Sequence, residues 1–246
     1  TYSVVKIEDP ENRKWLRELG MQRFVEEAPV DLVFCIDYHR LKRWAELEVA
    51  PFTANDSFRQ FWVGFQDAVI FAQTVCTAAD AMGLGSVYVG TAMEVFRELK
   101  ERLNLPDHVF PVVLVAMGYP EERPASHKKL GVDIVVHDEV YHDPDDETLL
   151  TAFEEKYTGP DSRRVEVTEE RIERIRKVCT DVHGEEFADL CEARIRENGY
   201  ISAVQRYFGL HYVANLMPTG NPDFLKTFED FGFGWFNEYV PPKDRE

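Results

Sequence analysis

The strongest constraint on the fold lies at residues 65–82, where Val69, Ala72, Cys76, Ala79 and Met82 recur at three- and four-residue spacing in a stretch almost free of charge. A helix of this kind cannot face water on most sides, so other elements must cover it. Two strand-length apolar runs are available: residues 30–36, directly after Pro29, and the longer, Val-rich residues 109–117, which end at Gly118-Tyr-Pro120. Gly83-Leu-Gly85 closes the helix. Residues 86–89 then read as a short strand, and residues 93–103 as a second helix with Val95, Leu99 and Leu103 turned inward.

After about Tyr141 the apolar runs stop and helical periodicity takes over, so the chain divides into residues 1–142 and a helical segment, 143–246. Thr168 is placed to cap a helix with Glu169 and Glu170 in its first turn, where carboxylates suit the dipole, and Ile172, Ile175, Cys179 and Val182 mark one face. His183-Gly184 stops it. Phe187, Leu190, Cys191 and Ile195 mark a second helix ending at Asn198-Gly199, which predicts an antiparallel helix pair. The final Phe231-Gly-Phe-Gly-Trp-Phe236 is too aromatic to hang free and is expected to dock, on its own subunit or on a partner.

Composition narrows the function classes. The 246 residues are 44% hydrophobic with 28 basic and 45 acidic side chains, a net charge of −17. Repulsion at long range disfavours nucleic acid and anionic membranes. No window approaches the roughly 18 apolar residues of a spanning helix, and the N-terminus lacks the order of a signal peptide, so a cytoplasmic protein is expected. The four cysteines, Cys35, Cys76, Cys179 and Cys191, form no C-x-x-C pair and fit reduced thiols rather than a disulfide frame or a zinc site. The chain opens on Thr1 instead of Met, as a processed or partial chain does.

Single motifs decide little. Gly83-Leu-Gly85-x4-Gly90 lacks the third glycine of a dinucleotide fingerprint and runs helix to strand, the reverse of that motif. Walker, G-x-S-x-G and H-E-x-x-H patterns are missing. His137 and His142 have the composition of a metal site, yet a five-residue gap puts them on opposite faces of a strand; an acidic turn is the expectation, with no metal. Phe58, Phe61, Trp62 and Phe65 recur at helical spacing, as core or subunit interface or as a lid over a flat ligand. His127-Lys-Lys129 and Arg163-Arg164 are basic islands in an acidic chain, and composition leaves open whether they are exposed loops or phosphate clamps.

Taken in order, Ala28-Pro29-Val30, Asp67-Ala68 opening an alanine-rich helix, Ala81-Met-Gly-Leu-Gly-Ser-Val-Tyr-Val-Gly90, Asn104-Leu-Pro-Asp-His108 and Met117-Gly-Tyr-Pro120 resemble the FMN-dependent nitroreductase family. The likeness is strongest to its oxygen-insensitive NADPH nitroreductase and flavin reductase branch, and it covers residues 1–164. It implies an α+β fold with a central mixed sheet flanked by helices, an FMN-binding core at residues 1–142 and a helical C-terminal extension at 143–246. It also implies a homodimer with FMN at the subunit interface. The implied activity is NAD(P)H oxidation with reduction of a small aromatic acceptor (a nitroaromatic, quinone or flavin) by ping-pong hydride transfer through flavin N5, with NADPH or NADH as donor.

Residue by residue, Gln22 matches a glutamine that touches the flavin. Tyr88, Val89, Gly90 and Thr91 match the segment whose backbone lies along the ring, His127 and Lys129 match two cationic positions on the FMN phosphate, and Arg163 and Arg164 fall where relatives bind the phosphate and adenosine end of NADPH. No side-chain acid, base or nucleophile is implied, because the cofactor carries the chemistry. The family's opening Arg-Ser-x-Arg segment has no counterpart here. The same fold also hosts dehalogenases, and a flavin-binding or interaction protein with little turnover is the alternative of another class.

Overall fold

The computed structural model describes residues 1–123, 125–241 and 243. Four strands form one sheet in the order β1-β2-β4-β3, with β1 at Tyr2–Ile7, β2 at Val30–Asp37, β3 at Gly85–Val89 and β4 at Val109–Gly118. All three pairings are antiparallel. This departs from the mixed sheet the sequence implies, and the reason is strand order. The helical connection after β2 does bring β3 round parallel to it, but β4 lies between the two, so no parallel strands are neighbours. The edge strand β1 was not anticipated from the sequence; it is short, charged at Lys6 and half exposed, and carries no continuous apolar run.

Helices cover both faces. α1 (Pro10–Glu18) starts with Pro10 at its first position and with the Asp9 carboxylate accepting the Glu11 N–H at 2.8 Å; α2 (Arg23–Glu27) and α3 (His39–Leu47) follow. α4 (Phe58–Ala81) is longer than the 65–82 expected, because Ser57 caps it at the Gln60 N–H and the aromatic run Phe58 to Phe65 forms its first turns. Alternation along β2 sends Val33 and Cys35 into one cluster with Leu16, Met21 and Val25, and Phe34 into another with Ala72, Cys76 and Ala79 of α4. The register shifts between Phe34 and Cys35, where β4 places Pro111; a bulge accommodates a residue that has no N–H for the ladder. α5 (Phe96–Arg102), preceded by a 3-10 turn at Gly90–Glu94, replaces the single helix expected over 93–103.

Gly118, at the end of β4, must be glycine for a packing reason. A Cβ there would stand 2.5 Å from Cδ and 3.0 Å from Cγ of Pro29, which leads into the neighbouring β2. Gly118→Ala is therefore expected to lower stability by about 2–3 kcal/mol, read as a lower urea midpoint. An unchanged midpoint would show that the Pro29 ring can move aside at little cost.

The chain forms two compact units. Thr1–Arg123 with Pro222–Glu246 make the first, and Pro124–Asn221 the second. The division expected at 142/143 falls well after the last strand, which ends at Gly118; the boundary between the two units lies between these points, at 123/124. The aromatic end also belongs to the first unit, not to a C-terminal extension. Beyond α11 (Asn221–Asp230), Phe231 and Phe233 are fully buried, with their rings 4.9 Å from Phe110 and 5.4 Å from Phe61, and the His108 N–H donates to the Phe231 carbonyl at 2.8 Å. Of the four aromatics at helical spacing, Phe61 is core; Phe58, Trp62 and Phe65 remain 51%, 52% and 38% exposed.

The second unit is helical: α6 (Val132–Val135), α7 (Asp146–Lys156), α8 (Glu169–His183), α9 (Glu185–Asn198) and α10 (Ala203–Arg206). The Thr168 hydroxyl accepts the Arg171 N–H, Gly184 turns the chain at φ 90°, and Gly199 ends α9 in the left-handed region at φ 68°. Antiparallel pairing shows in Arg196 to Glu169 at 2.8 Å and Arg176 to Glu192 at 2.8 Å. These exposed pairs add little, and Ile172, Ile175, Ile195 and Ile201 form the core.

Candidate cofactor sites

In the first unit, the edge strand β3 delivers Tyr88 outward and Val89 inward, then passes into the 3-10 turn that begins at Gly90. The Thr91 hydroxyl donates to Gln22 Oε1 at 3.2 Å, so two residues separated by 69 positions meet at this turn. Gln22 stands at the N-cap of α2, yet its side chain makes no capping bond; its Oε1 is used by Thr91 instead. The Tyr88 hydroxyl lies 3.3 Å from Gln73 Oε1. Burial of that phenol, with Cys76 close by, pushes it up to about 12, so Tyr88 is a neutral hydrogen-bonding group throughout the physiological range.

Gly90 is the informative position. It has no positive φ, and a Cβ built on it meets no atom within 4 Å. Neither backbone geometry nor packing within the chain requires glycine there. What a bare backbone offers at such a point is close approach by something flat from outside, with the N–H of the turn free to donate.

In the second unit, His127, Lys129 and Arg163 line one cavity of about 430 Å³, together with Arg206, Tyr207 and Tyr212. His127 Nδ1 lies 2.5 Å from Asp161, whose other oxygen accepts the Lys128 N–H at 2.8 Å. The Lys128 N–H, then the His127 ring, hold the Asp161 carboxyl below the ordinary range. Arg164 goes elsewhere: its guanidinium stacks 4.1 Å over the Tyr200 ring and pairs with Glu154 at 2.5 Å. The expected site residues thus fall into two groups, one in each unit, with Arg164 outside both. Sequence reading missed Arg206, Tyr207 and Tyr212, which lie more than 40 residues beyond Arg163 and carry no motif.

His137 and His142 do not converge as ligands: the His142 backbone N–H donates to His137 Nδ1 at 3.3 Å, and the His137 ring packs on Tyr141. Among the described residues, no group of three or more His, Cys, Asp or Glu side chains could hold a metal, and no helix is long and apolar enough to cross a membrane.

Comparison with known proteins identifies the family. Residues 3–119 match the Nitroreductase family. The chain is 33% identical over 172 residues to the FMN reductase [NAD(P)H] of Bacillus subtilis, covering 69% of each chain. It is 33% identical over 155 residues to the oxygen-insensitive NADPH nitroreductase of Salmonella typhimurium, covering 63% of this chain and 62% of that one. Of solved structures, B. megaterium NfrA2 superposes with a TM-score of 0.66 at 26% identity, covering 95% of this chain and 81% of its own. The chain spans about three fifths of the length of several curated relatives it matches, 63% and 62% in two of them. The ordered motifs, the strand-to-turn segment at Tyr88 to Thr91 and these matches agree: the chain belongs to the nitroreductase family.

Proposed function

We propose that the protein is an FMN-dependent NAD(P)H oxidoreductase acting on small electron-poor aromatics such as nitroaromatics, quinones or free flavins. The observation that carries this reading is Gly90, an exposed glycine with open space where a side chain would stand. The residues around it fit a flavin. Val89 is buried and fixes the strand end, Tyr88 and the turn backbone present a flat ledge, and Gln22, oriented by Thr91, offers an amide to a ring heteroatom. FMN, when bound, would supply two-electron hydride chemistry at its N5, with donor and acceptor using the site in ping-pong order.

The chain's own residues orient and stabilise. The N–H groups of the Gly90 turn are placed to donate toward negative charge on a ring held against them, a contribution that needs no side-chain acid or base. In the second unit, Lys129 and His127 are proposed to hold the FMN phosphate, and Arg163 the phosphate end of the dinucleotide. Arg164, committed to Glu154 and Tyr200, would support that loop instead of touching ligand. The exposed Phe58, Trp62 and Phe65 support a homodimer, since an apolar face of this size is commonly covered by a second copy.

The test is an anaerobic absorbance spectrum of the protein supplied with FMN, taken before and after NADPH. Flavin bands that bleach are expected; bands that persist would leave a flavin-binding protein without turnover, and failure to retain FMN would remove the reading. In the same assay Lys129→Ala is expected to weaken FMN binding by about 1.5–3 kcal/mol, one charge-assisted contact. Unchanged affinity would place the phosphate elsewhere.

A further inference from the structure

The cavity of the second unit holds more positive charge than the residues so far assigned account for. Lys128, Lys129 and Arg163 reach it from loops, Lys156 from the last turn of α7 and Arg206 from the end of α10. Among the described residues, none of these five side chains forms an ion pair or a hydrogen bond; Lys156 rests over the Tyr157 ring at 5.0 Å. Elsewhere in the unit Arg164 pairs with Glu154, Arg176 with Glu185, Asp189 and Glu192, Arg194 with Glu197 and Arg196 with Glu169 and Glu192, while Arg171 donates to the Glu166 carbonyl. The acid on the cavity wall, Asp161, is engaged by His127 and the Lys128 N–H, and feels Arg163 only at longer range. In a chain of net charge −17, five cations without a bonded counter-ion on one concave surface describe a site for a polyanion.

The wall beside Arg206 is aromatic. Tyr207–His211 is a π-helical turn, closed by the Tyr212 N–H on the Tyr207 carbonyl at 2.7 Å, and it brings the Tyr207 and Tyr212 rings to 4.7 Å from each other at the cavity. Such turns are uncommon and concentrate at functional sites. Aromatic rings adjoining unpaired cations suit a ligand that joins a heteroaromatic base to phosphate.

We propose that Arg206 determines nucleotide specificity in this cavity: its guanidinium holds the 2′-phosphate that distinguishes NADPH from NADH, with the adenine against Tyr207 and Tyr212. The proposal rests on the pyridine-nucleotide reading above and gives Arg206 the place that Arg164, turned onto Tyr200, does not fill. The helical segment after residue 165 thereby acquires a function in donor selection.

The experiment uses the full chain with FMN and measures two things: binding of 2′,5′-ADP and of 5′-AMP by calorimetry, and the KM for NADPH and for NADH. Arg206→Ala is expected to weaken 2′,5′-ADP binding and raise the NADPH KM by about tenfold or more, with 5′-AMP affinity, NADH KM and FMN content unaltered. Arg206→Lys should recover part of the loss, as a charge without the planar fork does. Equal effects on NADPH and NADH, or no effect on either, would overturn the proposal, as would a wild-type protein that binds 2′,5′-ADP no better than 5′-AMP. If NADPH and NADH both fail to bleach the flavin, the oxidoreductase reading falls, while the 2′,5′-ADP titration still decides the role of Arg206.

Discussion

Gly90→Val is expected to abolish FMN retention while leaving the fold intact. The combination is what makes the substitution informative. Most glycines in this chain serve the backbone: Gly83, Gly184 and Gly199 have positive φ, and at Gly64 a Cβ would come within 2.9 Å of Ile36 Cγ2. Substitution at those positions disturbs folding first. At Gly90 the added side chain points into open space, so the thermal midpoint should stay within about 1 °C per few tenths of a kcal/mol of wild type. A branched side chain there would nonetheless occupy the space in which a flat ring reaches van der Waals contact with the backbone, and the ring would lose those contacts. The flavin spectrum of the desalted variant is the measurement. A normal spectrum would show that the isoalloxazine lies away from this turn.

Asp31→Leu should stabilise the protein, and should do so only when the solution is not acidic. Asp31 sits in β2, fully buried between Ile7 of β1 and Ala116 of β4, and neither of its carboxyl oxygens has a hydrogen-bond partner. Arg13 is near enough to help electrostatically, but its guanidinium is spent on the carbonyls of Glu26 and Ala28. Burial, opposed by Arg13, pushes the carboxyl up to about 7. The sign follows from proton counts. Between about pH 4 and 7 the unfolded chain releases this proton and the folded chain keeps it, so folding weakens as pH rises through that window and levels off above it. Three units of displacement set an upper bound of about 4 kcal/mol; about 2–4 kcal/mol is the expected gain for Asp31→Leu at pH 8, with almost none at pH 4. Urea midpoints at the two pH values test it. An equal gain at both would assign the effect to packing, and no gain at pH 8 would mean that the carboxylate has found a partner.

Such a residue shows where local reading of a sequence stops. Residues 30–36 are legible as a buried strand despite Asp31, because the unbroken apolar run from Leu32 to Ile36 dominates; the aspartate itself looks like an ordinary polar edge until the neighbouring strands enclose it. The long helix, the helix pair with its Thr168 cap and Gly199 stop, and the docked aromatic end were legible because each is written in spacing, capping chemistry or composition at short range. Strand order was not, since the insertion of β4 between β2 and β3 is a long-range choice that no window records. The division at 123/124 was likewise hidden, because it falls between β4 and α6, where no motif or change of composition marks which core a residue joins.

The candidate sites divide along the same line. Tyr88 to Thr91 stood out through a contiguous motif whose meaning came from family resemblance, whereas the contact of Thr91 with Gln22 is visible only in the fold. Lys129 and Arg163 were visible as basic islands in an acidic chain. Arg206 was not, because a single arginine on a short helix becomes notable only once four other unpaired cations are seen lining the same cavity. Arg164 shows the converse: adjacent in sequence to Arg163, it is directed to Tyr200 by the alternation of an extended segment.

The first unit is assembled from two separated stretches of chain, with Phe231 and Phe233 returning to the sheet that begins at Tyr2. On the ribosome this fixes an order of events. The second unit, continuous from 124 to 221, has everything its own isoleucine core needs when its last residue emerges, whereas the sheet must wait with Phe61 and Phe110 uncovered until the whole helical insert has been made. The part of the protein synthesised first is thus the part finished last, and the interval during which its aromatic surface stands open is set by the length of the segment inserted into it.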